Sequence, residues 1–229
     1  MRAVIALSTL VLTFGAQAAT EAPRERLSLS ASASAEVTRD VLGISFSTTR
    51  DGADANAVQT ALKQALDAAL AEARKVAKPG QVDVQTGGFS LYPRHDPKTG
   101  KINGWQGSAD LHVEGRDTAA VAQLAGRIST LSISRVGYSL SREAREKAEA
   151  DITAQAITRY RARASDYAKQ FGYGSYVIGE VNIASDEASA PRPMMAMRMV
   201  KAEADAALPT EAGKATVTVN VNGSVQLTK

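Results

Sequence analysis

The chain has 229 residues, 27 basic against 24 acidic and no cysteine, which excludes disulfides, thiolate nucleophiles, zinc–thiolate sites and iron–sulfur clusters together. A formal net charge of +3 is too evenly spread for nucleic acid, which calls for a concentrated basic face. Only two histidines are present and aromatics make up 5 %, a composition that suits closely packed helices better than a large aromatic ligand pocket.

Residues 1–19 read as a signal peptide. Arg2 supplies the positive start, Ala3 to Phe14 run almost unbroken apolar, and Ala16-Gln17-Ala18 is the small-x-small pattern for cleavage after Ala18 or Ala19. The apolar run of about 12 residues falls short of the roughly 20 that a membrane span needs. The lack of cysteine excludes lipid attachment through an N-terminal cysteine. The expected mature chain, residues 20–229, is exported and soluble. At about 210 residues it is long enough to bury roughly 70 % of its unfolded surface.

From Leu27 to Val37 small apolar residues alternate with serines, the period of a half-buried strand. Asp40 to Arg50 reads as a second strand. Asp51-Gly52 marks a turn, and Asp54 or Asn56 caps a helix reaching Ala77. Its inward stripe is Val58, Leu62, Ala65/Leu66, Ala69/Leu70, Ala73 and Val76, and Pro79-Gly80 ends it. Val82 to Tyr92 and Trp105 to Glu114 form an antiparallel hairpin around a polar loop, Pro93 to Gly104. Asp117 or Thr118 caps a second helix with Val121, Leu124, Ala125 and Ile128 inward. Leu131 to Leu140 then alternates through Leu131, Ile133, Arg135 or Val136, and Tyr138.

The order strand, helix, strand, strand, helix, strand over about 40–140 predicts a ferredoxin-like split βαβ layer. Ser141 opens the longest helix, whose stripe is Ala148, Ile152, Ala156, Tyr160, Ala164, Tyr167 and Phe171, with Gly172 as its stop. Tyr176 to Ala184 is a strand, Ser185 to Gly213 irregular or weakly helical, and Ala215 to Leu227 the closing strand. The fold class is therefore α+β, built as two-layer sandwiches. Lobe A covers about 40–140; lobe B is discontinuous, joining about 27–39 to 141–229.

This ordered set resembles the SIMPL-domain family of exported bacterial proteins. The features that carry the resemblance are the small-residue opening strand, Arg39-Asp40-Val41 before the second strand, and the Gly87-Gly88-Phe89 strand. They continue with the return strand starting at Gly107 to Asp110, the long helix ending Ala164-x-x-Tyr167-Ala168-x-x-Phe171-Gly172, and Gly179-Glu180-Val181. A Pro/Met-rich loop, Pro191 to Met199, and the strand after Gly213 complete it. The resemblance implies a periplasmic or outer-membrane-associated protein without enzymatic activity or cofactor, linked to oxidative-stress defence and surface immunogenicity. Some members form ring-like homo-oligomers. No catalytic residue comes with the family.

Candidate sites are few. Met194, Met195, Met197 and Met199 cluster in one loop; thioethers select Cu(I), and exposed methionine is oxidised reversibly to sulfoxide, although methionine also packs flexibly under loops. Arg159 and Arg163 lie one turn apart, a spacing for a phosphate or headgroup patch or for a plain solvated face. Gly172-Tyr173-Gly174-Ser175 follows a helix and enters a strand, the wrong context for a dinucleotide fingerprint. His95-Asp96 sits on the hairpin loop, and His112 alternates away from Leu111 and Val113 toward solvent. No Gly-x-Ser-x-Gly elbow exists. The expectation is a non-enzymatic periplasmic envelope or oxidative-stress protection protein acting as a homo-oligomer, without nucleic acid or small-molecule substrate. The alternative is a Cu(I)-binding or oxidant-scavenging protein working through Met194, Met195, Met197 and Met199.

Overall fold

The computed structural model describes residues 25–188 and 208–229. The signal segment and the methionine loop, Met194 to Met199, lie outside these residues. Seven strands and three helices follow one another as β1 (Arg26–Thr38), β2 (Val41–Gly52), α1 (Ala55–Val76), β3 (Val82–His95), β4 (Ile102–Gly115), α2 (Thr118–Arg127), β5 (Ser132–Ser139), α3 (Arg142–Gln170), β6 (Ser175–Ala188) and β7 (Lys214–Thr228). Among these residues no helix is long and apolar enough to cross a membrane.

Two antiparallel sheets result, ordered β3-β4-β2-β5 and β1-β7-β6. The first is the ferredoxin-like order: β2 and β3 run the same way with β4 between them, and α1 and α2 cover one face. Period-2 alternation along β2 and β4 sends Leu42, Ile44, Phe46, Ala109, Leu111 and Val113 inward against Val58, Leu62, Val121 and Leu124. Asp54 caps α1 by accepting the Ala57 N–H at 2.8 Å, and Asp117 caps α2 by accepting that of Ala120 at 3.0 Å.

The second sheet joins the two ends of the described chain. β1 pairs with β7 from Arg26↔Gln226 to Thr38↔Lys214. Its core packs Ala31, Ala33, Val217, Val219 and Val221 against Ile152, Ala156, Tyr160, Ala164 and Ala168 of α3. Small residues on both surfaces let helix and sheet approach closely. Gly172 ends α3 at φ +83°; its N–H reaches Lys169 O at 3.0 Å and that of Tyr173 reaches Ala168 O at 2.9 Å, a Schellman stop.

Several expectations are corrected. Tyr167 and Phe171 are 38 % and 63 % exposed; Ala168 takes the inward place, because successive i+4 steps from Ala156 lead to Tyr160, Ala164 and Ala168. The hairpin loop is shorter than Pro93 to Gly104, since β3 runs to His95 and β4 starts at Ile102. β6 likewise continues through Ser185 to Ala188. In β5 a bulge at Ser134 shifts the alternation, pairing Arg135 with Ser45 and Val136 with Ile44. Val136 therefore faces the core and Arg135 the open side.

The two sheets meet at a small polar joint. Asp40 Oδ1 accepts the Ser141 N–H at 2.7 Å, and Arg116 pairs with both Asp40 and Glu143. Tyr138 and Thr210 share a hydroxyl hydrogen bond of 2.9 Å.

Candidate functional site

The face of the four-stranded sheet away from α1 and α2 is mostly polar. Strand pairing sets Gln85, His112, Ser45 and Arg135 in one row across all four strands. The next row carries Gly87 and Gly88, Asp110 and Ser47. Bulges interrupt the ladder on both sides of these rows, between Thr86 and Phe89 and at Ser134. Bulges bend the strand and re-aim side chains, and here they leave a concavity of about 390 Å³ lined by Ser45, Asp110, His112, Ser134, Arg135 and the two glycines, among others.

Its floor is a hydrogen-bonded chain. Ser45 Oγ lies 3.1 Å from His112 Nδ1, and His112 Nε2 lies 3.3 Å from Glu114 Oε2. A ring protonated at Nε2 donates to Glu114 and accepts the serine hydrogen at Nδ1. Ser134 Oγ donates to Ser45 O at 3.0 Å. Asp110 and Arg135 have no hydrogen bond or ion pair among the described residues. The glycines give Asp110 its room: a Cβ at Gly87 would stand 2.8 Å from Asp110 Cβ, and one at Gly88 would stand 3.2 Å from Asp110 Oδ2. Among the described residues no group of three or more His, Asp or Glu is placed to hold a metal ion.

The three-stranded sheet shows a contrast between its two edges. Along β1, Arg163 Nη1 donates to Ser30 O at 2.8 Å and Arg159 Nη1 to Ser32 O at 2.9 Å. These arginines, a candidate headgroup patch in the sequence, instead close the free side of β1. The β6 edge carries no such cover among the described residues: Val177, Ile178, Val181 and Ile183 are all exposed, Val177 by 60 %. α3 lies chiefly over β1 and β7, which leaves the apolar side chains of β6 beyond its reach.

The other sequence candidates are accounted for locally. His95 Nδ1 is 3.1 Å from Gly100 O within the hairpin loop. Asp96 accepts from Lys98 N, Thr99 N and Thr99 Oγ1, and the Thr99 and Lys98 hydrogen bonds hold its carboxyl below the ordinary value. Gly172 to Ser175 serves the helix stop and the entry to β6. His112 is placed on the open face as alternation required. Its link to Ser45, and the roles of Asp110 and Arg135, escaped the sequence reading; the available signal was the pair Gly87-Gly88 breaking a period-2 strand, the mark of a bulge or close approach.

No curated protein matches the chain. The family model of SIMPL, described as a protein of unknown function (DUF541), matches residues 27–225, which takes in every strand and helix from β1 through most of β7. The chain belongs to the SIMPL family.

Proposed function

We propose that this SIMPL protein is a non-enzymatic envelope protein of the periplasm that protects against oxidative stress as a homo-oligomer, and that copies join along β6. The observation that carries this reading is the unequal treatment of the two sheet edges. An open strand edge is a template for pairing, and proteins blunt edges that must stay single. Here β1 is blunted by Arg159 and Arg163, whereas β6 presents Ile178, Val181 and Ile183 uncovered among the described residues. Antiparallel pairing of β6 with β6 of a second copy is isologous, so one patch satisfies both partners. It would merge two three-stranded sheets into a continuous one of six and cover both apolar strips.

The exported address rests on the pattern of residues 1–19, and the stress role on the family resemblance. Sedimentation of the mature chain over a wide concentration range tests the assembly. The wild type is expected to sediment as a multimer, and an Ile178→Lys/Ile183→Lys variant, with two charges replacing the apolar side chains along the pairing strand, as a monomer. A monomeric wild type at every concentration, or a variant that assembles equally well, overturns the reading. In a deletion strain under peroxide, wild type is expected to restore survival and the edge variant to fail. Replacement of Met194, Met195, Met197 and Met199 by Leu is expected to protect fully; loss of protection there would move the function to the methionine loop.

A further inference from the structure

The polar concavity of the four-stranded sheet has features that a solvated face does not require. Glycine inside a strand weakens it and marks a bulge or a close approach of another group. Two successive glycines stand here, and what they leave room for is one carboxylate, Asp110. On the same open face stands the Arg135 guanidinium, aimed there by the bulge at Ser134. Opposite charges sharing a depression normally find each other. These two do not, and neither has another ionic or hydrogen-bonding partner among the described residues.

Their spacing explains the separation. Asp110 on β4 and Arg135 on β5 flank β2, two strand spacings or about 10 Å apart laterally, with a two-residue offset of about 7 Å along the strands. Between them lie Ser45 and Ser47 of β2, with His112 beside Ser45 and its imidazole fixed by a hydrogen bond at each ring nitrogen. The result is a rigid polar floor with a lone anion at one end and a lone cation at the other. Its volume of about 390 Å³ falls in the range of about 300–1,000 Å³ usual for small-ligand sites.

We propose that this concavity binds a small zwitterion, an α-ammonium carboxylate of one to three residues, with its ammonium on Asp110 and its carboxylate on Arg135. Ser45 and Ser134, whose hydrogens go to His112 and to Ser45 O, offer hydroxyl oxygens as acceptors to N–H groups between. A simple anion would meet the repulsion of Asp110 and Glu114, and a simple cation would leave Arg135 unused; a ligand carrying both charges satisfies both ends. The site lies on the four-stranded sheet and β6 on the other, so the proposal is independent of assembly.

Calorimetric titration of the mature chain with glycine, glycylglycine and triglycine tests it, and the tightest of the three distinguishes a free amino acid from a peptide. Saturable binding is expected in the millimolar range or tighter. N-acetylation or C-amidation of that ligand is expected to weaken it by about tenfold or more, the loss of one charge-assisted contact of about 1.4 kcal/mol. Asp110→Asn should bind the free and acetylated ligands alike, and Arg135→Gln the free and amidated ligands alike. Absence of saturation for all three ligands at about 50 mM, a standard free energy weaker than roughly −2 kcal/mol, overturns the proposal. So does equal binding of the blocked and unblocked forms by the wild type, a comparison that does not depend on how the variants fold.

Discussion

Among the described residues Tyr160 is the largest fully buried side chain, and its hydroxyl has no hydrogen-bond partner there. Burial, then the neighbouring Tyr176, pushes its pKa above the ordinary value, so the group stays neutral. The ring fills the space between α3 and β7, while the hydroxyl bears an unrecovered desolvation cost. Tyr160→Phe keeps the ring and removes that cost, and is expected to stabilise by about 1 kcal/mol, read as a higher urea midpoint. A lower midpoint would show that the hydroxyl is satisfied in solution. Asp40 has the opposite character. Partial burial raises its carboxyl, but hydrogen bonds from Ser141, aided by Arg116, outweigh this and hold it below the ordinary 3.8. A depressed carboxylate contributes stability above its unfolded pKa and loses it as pH falls through the folded one. Asp40→Asn should therefore lower the thermal midpoint at neutral pH, with the gap closing below about pH 4. A gap unchanged in acid would remove the charge from the account.

At the scale of elements, β1 and α3 are joined by more than apolar packing. The guanidinium groups of Arg159 and Arg163 occupy the outward carbonyls of Ser32 and Ser30. Arg159→Ala/Arg163→Ala frees that edge, and the variant is expected to form concentration-dependent larger species than wild type by light scattering; an unchanged profile would mean that the edge is protected by other means. These elements also show what a sequence can and cannot say. Caps at Asp54, Asp117 and Ser141 are local chemistry and were legible, as were the stripes of α1 and the body of α3. Strand ends and bulges were not, because pairing decides them: Arg135 and Val136 exchange faces only through the partner strand β2. For the same reason His112 could be placed on the solvent side, while its contact with Ser45, 67 positions away, depends on register.

For the whole molecule, the α+β class and the order of its elements were readable from periodicity alone. The apolar residues form two separate clusters, and their wiring differs. The four-stranded sheet is made from one continuous stretch, Val41 to Ser139, whereas the three-stranded sheet brings Arg26 to Gln226. Contacts so distant in sequence cost more closure entropy before they form. Hydrogen exchange is expected to show β2 and β4 opening more slowly than β1. Equal protection in all three would mean that the two cores open as one unit.

The β1–β7 ladder also sets an order of events in synthesis. β1 is made first, and its partner lies roughly 175 residues later, a wait of roughly ten to thirty seconds at ribosomal rates of about 5–20 residues per second. A lone strand rich in valine or isoleucine would pass that interval as an aggregation hazard. From Ser30 to Ala35 β1 offers only serines and alanines instead, side chains too small and too polar to capture a stranger. β1 has a single valine, Val37 near its end, whereas β7 carries Val217, Val219, Val221 and Val225 and arrives when its partner is already waiting. The adhesive half of the seam is thus the half made last.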